Sequence, residues 1–250
     1  MSKSKDYQNI GSNTLWIFQS GLLFIYIIYG AMRIYNNNYD ANTISYLTII
    51  IAVIFFIFLL ITTNSMLASE LLCGKSNSRQ AFVFTIIPFF FIFGLGNLLL
   101  YTFPGWMRGF SNTFGLYLAQ LLGMNNQLSQ YFKNTVLDKI QSNTAPIINE
   151  LDIKNIKIIK DTNSGKETIH WKQLDEDLQG ILIQEDSNER NNKFAYFVLV
   201  KEMFAHFIWN ILLGTITIYS TILMVLNNND CNANTKDNNE FKKFIGNKSK

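Results

Sequence analysis

The chain has 250 residues, 48% of them hydrophobic and 14% aromatic, with a formal charge of +3. So small a balance excludes the clustered basic face of a nucleic-acid binder. Cys73 and Cys231 stand too far apart to make a disulfide framework or a cysteine metal site. The informative feature is distribution: apolar residues gather in long blocks, and charges gather between them.

Residues 15–32 hold no charge and are closed by Arg33. Eighteen residues at the helical rise reach roughly 27 Å, close to the hydrocarbon thickness. The run is long for a signal peptide and no small-residue cleavage pattern follows it, so it reads as a retained anchor. Residues 44–68 are uncharged over the whole stretch, with Ile51 to Ile61 apolar all round. A buried helix of a soluble protein would keep a polar stripe at helical period. Residues 81–103 form the third block, with Pro88 inside it, which predicts a kink. Gly94 and Gly96 near its end predict close approach of another helix.

Phe103, Pro104, Gly105 and Trp106 read as a turn ending that helix, with Trp106 at a membrane boundary. Ser111, Asn112 and Thr113 then read as the cap of a short helix, about 112–124, whose helical run starts at Phe114. It is too short to span, and is expected to be interfacial or re-entrant. Residues 125–202 carry ten Lys and Arg against twelve Asp and Glu. They are expected to form a small extramembrane α+β domain. Its elements are a helix over 127–143, strands at 156–160 and 167–171 around the loop 161–165, and a third short strand at 181–183. The final block, 203–227, reads as a fourth transmembrane helix, and 228–250 as a polar tail. The fold class is therefore mainly α and integral to a membrane, with about four spans. The N-terminus, residues 69–80 and the tail hold nine Lys and Arg, against Arg33 alone in 33–43. The excess of positive charge puts both termini in the cytosol, and four spans then put 125–202 on the opposite side.

Little in the chain suggests catalysis. There is no phosphate-binding glycine loop, no dinucleotide glycine pattern, no zinc-protease histidine pair and no nucleophile elbow, so the expectation is no enzyme, no cofactor and no metal. His170 reads as a polar strand residue, and the run Asp175 to Asp177 as a solvated face. Glu202, His206 and Asn210 fall on one helical face of the last block. They read as wetted interface residues, with a proton relay or a polar contact to another subunit as the alternative.

Two stretches carry a resemblance. One is Phe103 to Trp106 followed by Phe110, Ser111, Asn112, Thr113, Phe114 and Gly115. The other is Phe207, Ile208, Trp209, Asn210 and on to Gly214, with Asn229, Asp230 and Cys231 after it. Together they resemble a family of membrane proteins from nucleocytoplasmic large DNA viruses, the algal and amoebal giant viruses. The chain departs from the family pattern with Gly109 in place of proline, Leu116 in place of tyrosine, and Leu213 in place of threonine. The resemblance implies a structural or assembly protein of the virion's internal membrane, or of the host endoplasmic-reticulum-derived membrane it comes from. Its partners would be the lipid bilayer and capsid or other membrane proteins, as a monomer or oligomer, with no nucleic acid. The stretch around FSNTFG would lie flat as a docking element. Trp106 and Phe110 would anchor it at the lipid boundary, Asn112 would cap it beside Phe114, and Trp209 would pack or donate through its indole N–H. Two other readings fit the same blocks: an accessory membrane subunit of an organellar complex, and a small channel or transporter.

Overall fold

The structure, a computed structural model, describes residues 2–35, 43–73, 78–103, 105–133, 143–151, 156–160, 167–171 and 187–226. It is mainly helical. The long helices are α1 (Ser2–Tyr35), α2 (Thr43–Cys73), α3 (Ser78–Pro88) continuing through a π-helical stretch (Phe89–Gly94) into α4 (Leu95–Thr102), and a final helix introduced below. Among the described residues, three helical stretches are long and apolar enough to cross a membrane: Ser12–Tyr35, Arg79–Leu100 and Glu189–Val225. In α2 the apolar helix with described side chains is the shorter Val53–Leu67.

Pro88 does not break its helix. Its own dihedrals are helical, φ −62° and ψ −36°. Because proline has no N–H and its ring crowds the carbonyl four residues back, the helix widens into the π stretch immediately after it. The expected kink is thus taken up as a π segment. Of the two glycines expected to admit a neighbour, Gly96 does: a Cβ there would lie 2.7 Å from the Leu213 side chain. Gly94 is exposed and would meet only the Phe89 carbonyl.

The short helix expected from Phe114 is longer and starts earlier. Helix α5 (Gly105–Phe110) runs through a second π stretch (Ser111–Gly115) into α6 (Leu116–Leu121). The Trp106 N–H donates to the Phe103 carbonyl at 3.1 Å, so the helical turn already begins there. Asn112 is therefore interior to a helix and caps nothing. Gly123, at φ +87°, ends the run: its N–H donates to the Gln120 carbonyl, a left-handed stop that glycine takes without steric cost.

The helix expected over 127–143 is also corrected. Helix α7 (Met124–Leu128) tightens into a 3₁₀ turn (Ser129–Tyr131), and Phe132 is extended at φ −107°, ψ 146°. Leu128 and Phe132 are still both buried, in one core. Val136 and Ile140 lie outside the described residues, as do the loop 161–165, the strand at 181–183, Asp175 to Asp177 and the tail 228–250. Helix α8 (Ala145–Glu150) follows. Strands β1 (Ile156–Lys160) and β2 (Glu167–Trp171) pair antiparallel, Ile158 opposite Ile169 and Lys157 opposite His170.

The last helix, α9 (Ser187–Leu226), begins well before the expected Met203. At about 1.5 Å per residue its 40 residues reach roughly 60 Å, twice a bilayer's hydrocarbon core. Its first turns are packed nearly all round: Phe194, Ala195, Phe197, Val198 and Leu199 are buried. Glu189 sits in the first turn, where the helix dipole favours an acid.

The fold divides into two compact units. The first draws on residues 1–23, 49–102 and 210–250. Here α1 meets α2 where Gly21 faces the Phe56 ring, and Thr14 donates to Asn64. The α2 hydroxyl of Ser65 bonds that of Thr85 on α3 at 2.6 Å, while Phe58 packs edge-on against Phe82 and Phe89. Gly96 faces Leu213, and Gly214 faces Phe18, so α9 closes the ring back onto α1. The second unit draws on 24–48 and 103–209. Its core joins Ala119, Met124, Leu128, Tyr131, Phe132, Ala145, Ile148 and Leu151 to the first turns of α9, with Phe132 and Phe194 edge-to-face at 6.0 Å.

Candidate functional site

In the second unit the helical run 105–121 meets α9 on a buried stripe whose closest approach is at a glycine. Met107, Ser111, Gly115 and Ala119 recur every four residues and are all buried. At Gly115 the approach is closest: a Cβ would sit 2.1 Å from the Lys201 carbonyl oxygen and 2.9 Å from its carbonyl carbon. Only glycine permits it, because the obstacle is main chain.

That contact places Lys201, which sequence reasoning passed over, at the centre of the unit. Lys201 is 2% exposed. Its Nζ donates to Asn112 Oδ1 at 3.1 Å and to the Ile148 carbonyl at 3.0 Å. One side chain thus ties α9 to the SNTFG π stretch and to α8. The physical requirement is plain: a buried amine must find acceptors. The widened π turn brings Asn112 round to supply one. A signal existed in the sequence, since Phe194, Val198, Lys201 and Ala205 fall at helical spacing and put the lysine on the buried stripe.

The candidates singled out from sequence separate into two groups. Phe110, Asn112 and Trp209 are drawn together around α9: the Phe110 ring meets Trp209 edge-on at 5.5 Å, and Asn112 accepts from Lys201. Trp209 Nε1 is buried with no acceptor among the described residues, so its indole packs and does not donate. Trp106 and Phe114 point outward, 52% and 51% exposed. Trp106 stacks on Phe103 at 5.7 Å and Phe114 on Phe110 at 6.3 Å. Glu202 and His206 are half-buried on α9 in the second unit, and Asn210 is buried in the first. Among the described residues no group of His, Cys, Asp and Glu could hold a metal ion. His170 lies on β2, and its side chain lies outside the described residues.

What this arrangement does chemically is hold three elements in register, leaving an aromatic face turned outward. Comparison with protein-family models, with curated proteins and with solved structures finds no match to this chain.

Proposed function

We propose that the chain is a structural or assembly protein of the internal membrane of a large DNA virus, linking the bilayer to capsid proteins. The observation that carries the reading is the meeting of Phe110 with Trp209. The two stretches on which the viral resemblance rests are far apart in sequence, yet their side chains pack on each other, so they act as one structural feature. In this reading four helices cross the membrane: the three long apolar stretches and α2, whose backbone helix covers the uncharged block 44–68. The second unit carries a small α+β extramembrane part, with its hairpin and α8, that holds the capsid partner. Both termini lie in the cytosol. The membrane is the virion's internal one or its endoplasmic-reticulum-derived precursor. No turnover of a small molecule is required of any residue.

Crosslinking of purified intact particles, read by mass spectrometry, tests this directly. The reading expects crosslinks from lysines of the second unit, such as Lys133 and Lys193, to capsid proteins. Crosslinks to respiratory subunits in an organellar fraction would replace it with the accessory-subunit reading.

A further inference from the structure

The run 105–121 presents a second face opposite its buried stripe. Trp106, Phe114, Tyr117 and Leu121 are each more than half exposed, and together with Phe103 and Phe110 they recur at three- and four-residue steps. One helix therefore carries a sealed stripe of Met107, Ser111, Gly115 and Ala119 and an open, largely aromatic stripe of Trp106, Phe114, Tyr117 and Leu121. An open apolar stripe of this size on a soluble surface would be a liability.

Two observations identify what covers it. The first is position. Within the second unit, the C-terminal half of α1 packs on α9 where Gly30 faces Met203 and Tyr26 meets Phe207 at 5.7 Å. The run 105–121 packs on α9 at Lys201 and at Trp209, bracketing the same turns. Both α1 and α9 are long and apolar enough to cross a membrane over Ser12–Tyr35 and Glu189–Val225, and all these contacts fall inside those stretches. The second is chemistry. At this level α1 also turns Phe24, Ile27 and Met32 outward, so the stripe continues an apolar exterior. Arg108 is the one charge between residues 103 and 124, and it is exposed, free to extend toward headgroups. Tryptophan and tyrosine at the rim of an apolar band are the side chains that suit a bilayer boundary.

We infer that the outward face of 105–121 is a lipid-contacting surface: it takes the acyl chains of the bilayer, and the helix is embedded beside α9. The inference rests on the membrane-embedded part of the proposed function and not on its viral part. It also moves the capsid contact away from the aromatic residues and onto the rest of the second unit.

The test uses the full-length chain in lipid vesicles, with Cys73→Ser and Cys231→Ser and one nitroxide-labelled cysteine at a time. Tyr117→Cys and Phe114→Cys probe the stripe, Ile27→Cys marks the exterior of α1, and Asn126→Cys marks an exposed polar position. Collision with oxygen reports lipid, and collision with a nickel chelate reports water. The expected result is an oxygen-dominated signal at Tyr117 and Phe114, matching that at Ile27 and opposite to that at Asn126. A nickel-dominated signal at the stripe with Ile27 still oxygen-dominated overturns the inference and leaves the membrane reading standing. A stripe shielded from both reagents overturns it in favour of a protein cover such as a second copy. Nickel access at Ile27 itself would remove the membrane reading and the inference together.

Discussion

At the scale of single residues, the second unit depends on a glycine and a lysine that meet. Gly115→Ala forces a methyl into the Lys201 main chain, which cannot rotate away. Overpacking of this kind costs about 1–3 kcal/mol, so the thermal unfolding of the purified chain in detergent should shift down. Gly109→Ala is the matched contrast: nothing lies within 4 Å of its Cβ position. Relief of glycine's backbone freedom in a helix should raise stability by about 0.5–1 kcal/mol in the same assay. Lys201→Met removes both donations from Nζ. It leaves the part-buried Asn112 side-chain oxygen and the buried Ile148 carbonyl without that donor, a loss of about 1–3 kcal/mol. An unchanged unfolding temperature for Lys201→Met would mean the lysine fills space and ties nothing.

At the scale of elements, α9 has two jobs along one rod. Its first turns supply Phe194, Phe197 and Val198 to the apolar core of the second unit, and its later turns carry buried Thr217 and Thr221. Both threonines satisfy their hydroxyls on carbonyls four residues back, as polar groups do where water is scarce. Phe197→Ala should cost about 3–5 kcal/mol and open residues 143–151 to limited proteolysis while the first unit stays resistant. Cleavage of both units together would show that they unfold as one.

The elements also show what the sequence could and could not reveal. The apolar blocks were legible because lipid-compatible helices need long uncharged runs, and the ends of β1 and β2 were legible from alternation around a glycine-closed loop. The start of α9 was not: Asn191, Asn192 and Lys193 resemble a loop until Phe194, Val198 and Lys201 are seen as one stripe. The start of the run at Gly105 was hidden by Ser111, Asn112 and Thr113, a cap-like triplet whose polar groups serve a π turn and a buried lysine. The first π stretch follows Pro88, but nothing comparable marks the second, whose Asn112 meets Lys201 on α9. Phe110, Asn112 and Trp209 meet in one neighbourhood: the asparagine, expected as a cap, instead accepts from Lys201, and of the two roles expected for the indole it takes the packing one.

At the scale of the whole molecule, the first unit combines polar helix contacts with a large apolar exterior. The first unit buries Thr14, Asn64, Ser65 and Thr85 between helices while Trp16, Phe55, Phe90 and Phe91 face outward. Small and hydroxyl-bearing residues at helix contacts, with large apolar ones outside, are the pattern that lipid selects. The same helices also bury Phe18, Leu22, Ile57, Ile61 and Phe93, so polar contacts and apolar packing share the seams while further aromatics are carried outward.

The proposed topology has the chain span the membrane with residues 125–186 on the side opposite both termini. Protease added to sealed membrane vesicles with their cytosolic face outward, with fragments read by mass spectrometry, tests it most directly. The expected result is that residues 228–250 are removed while residues 125–186 survive until detergent opens the vesicles. Loss of 125–186 from intact vesicles, with the tail either kept or removed, would contradict it.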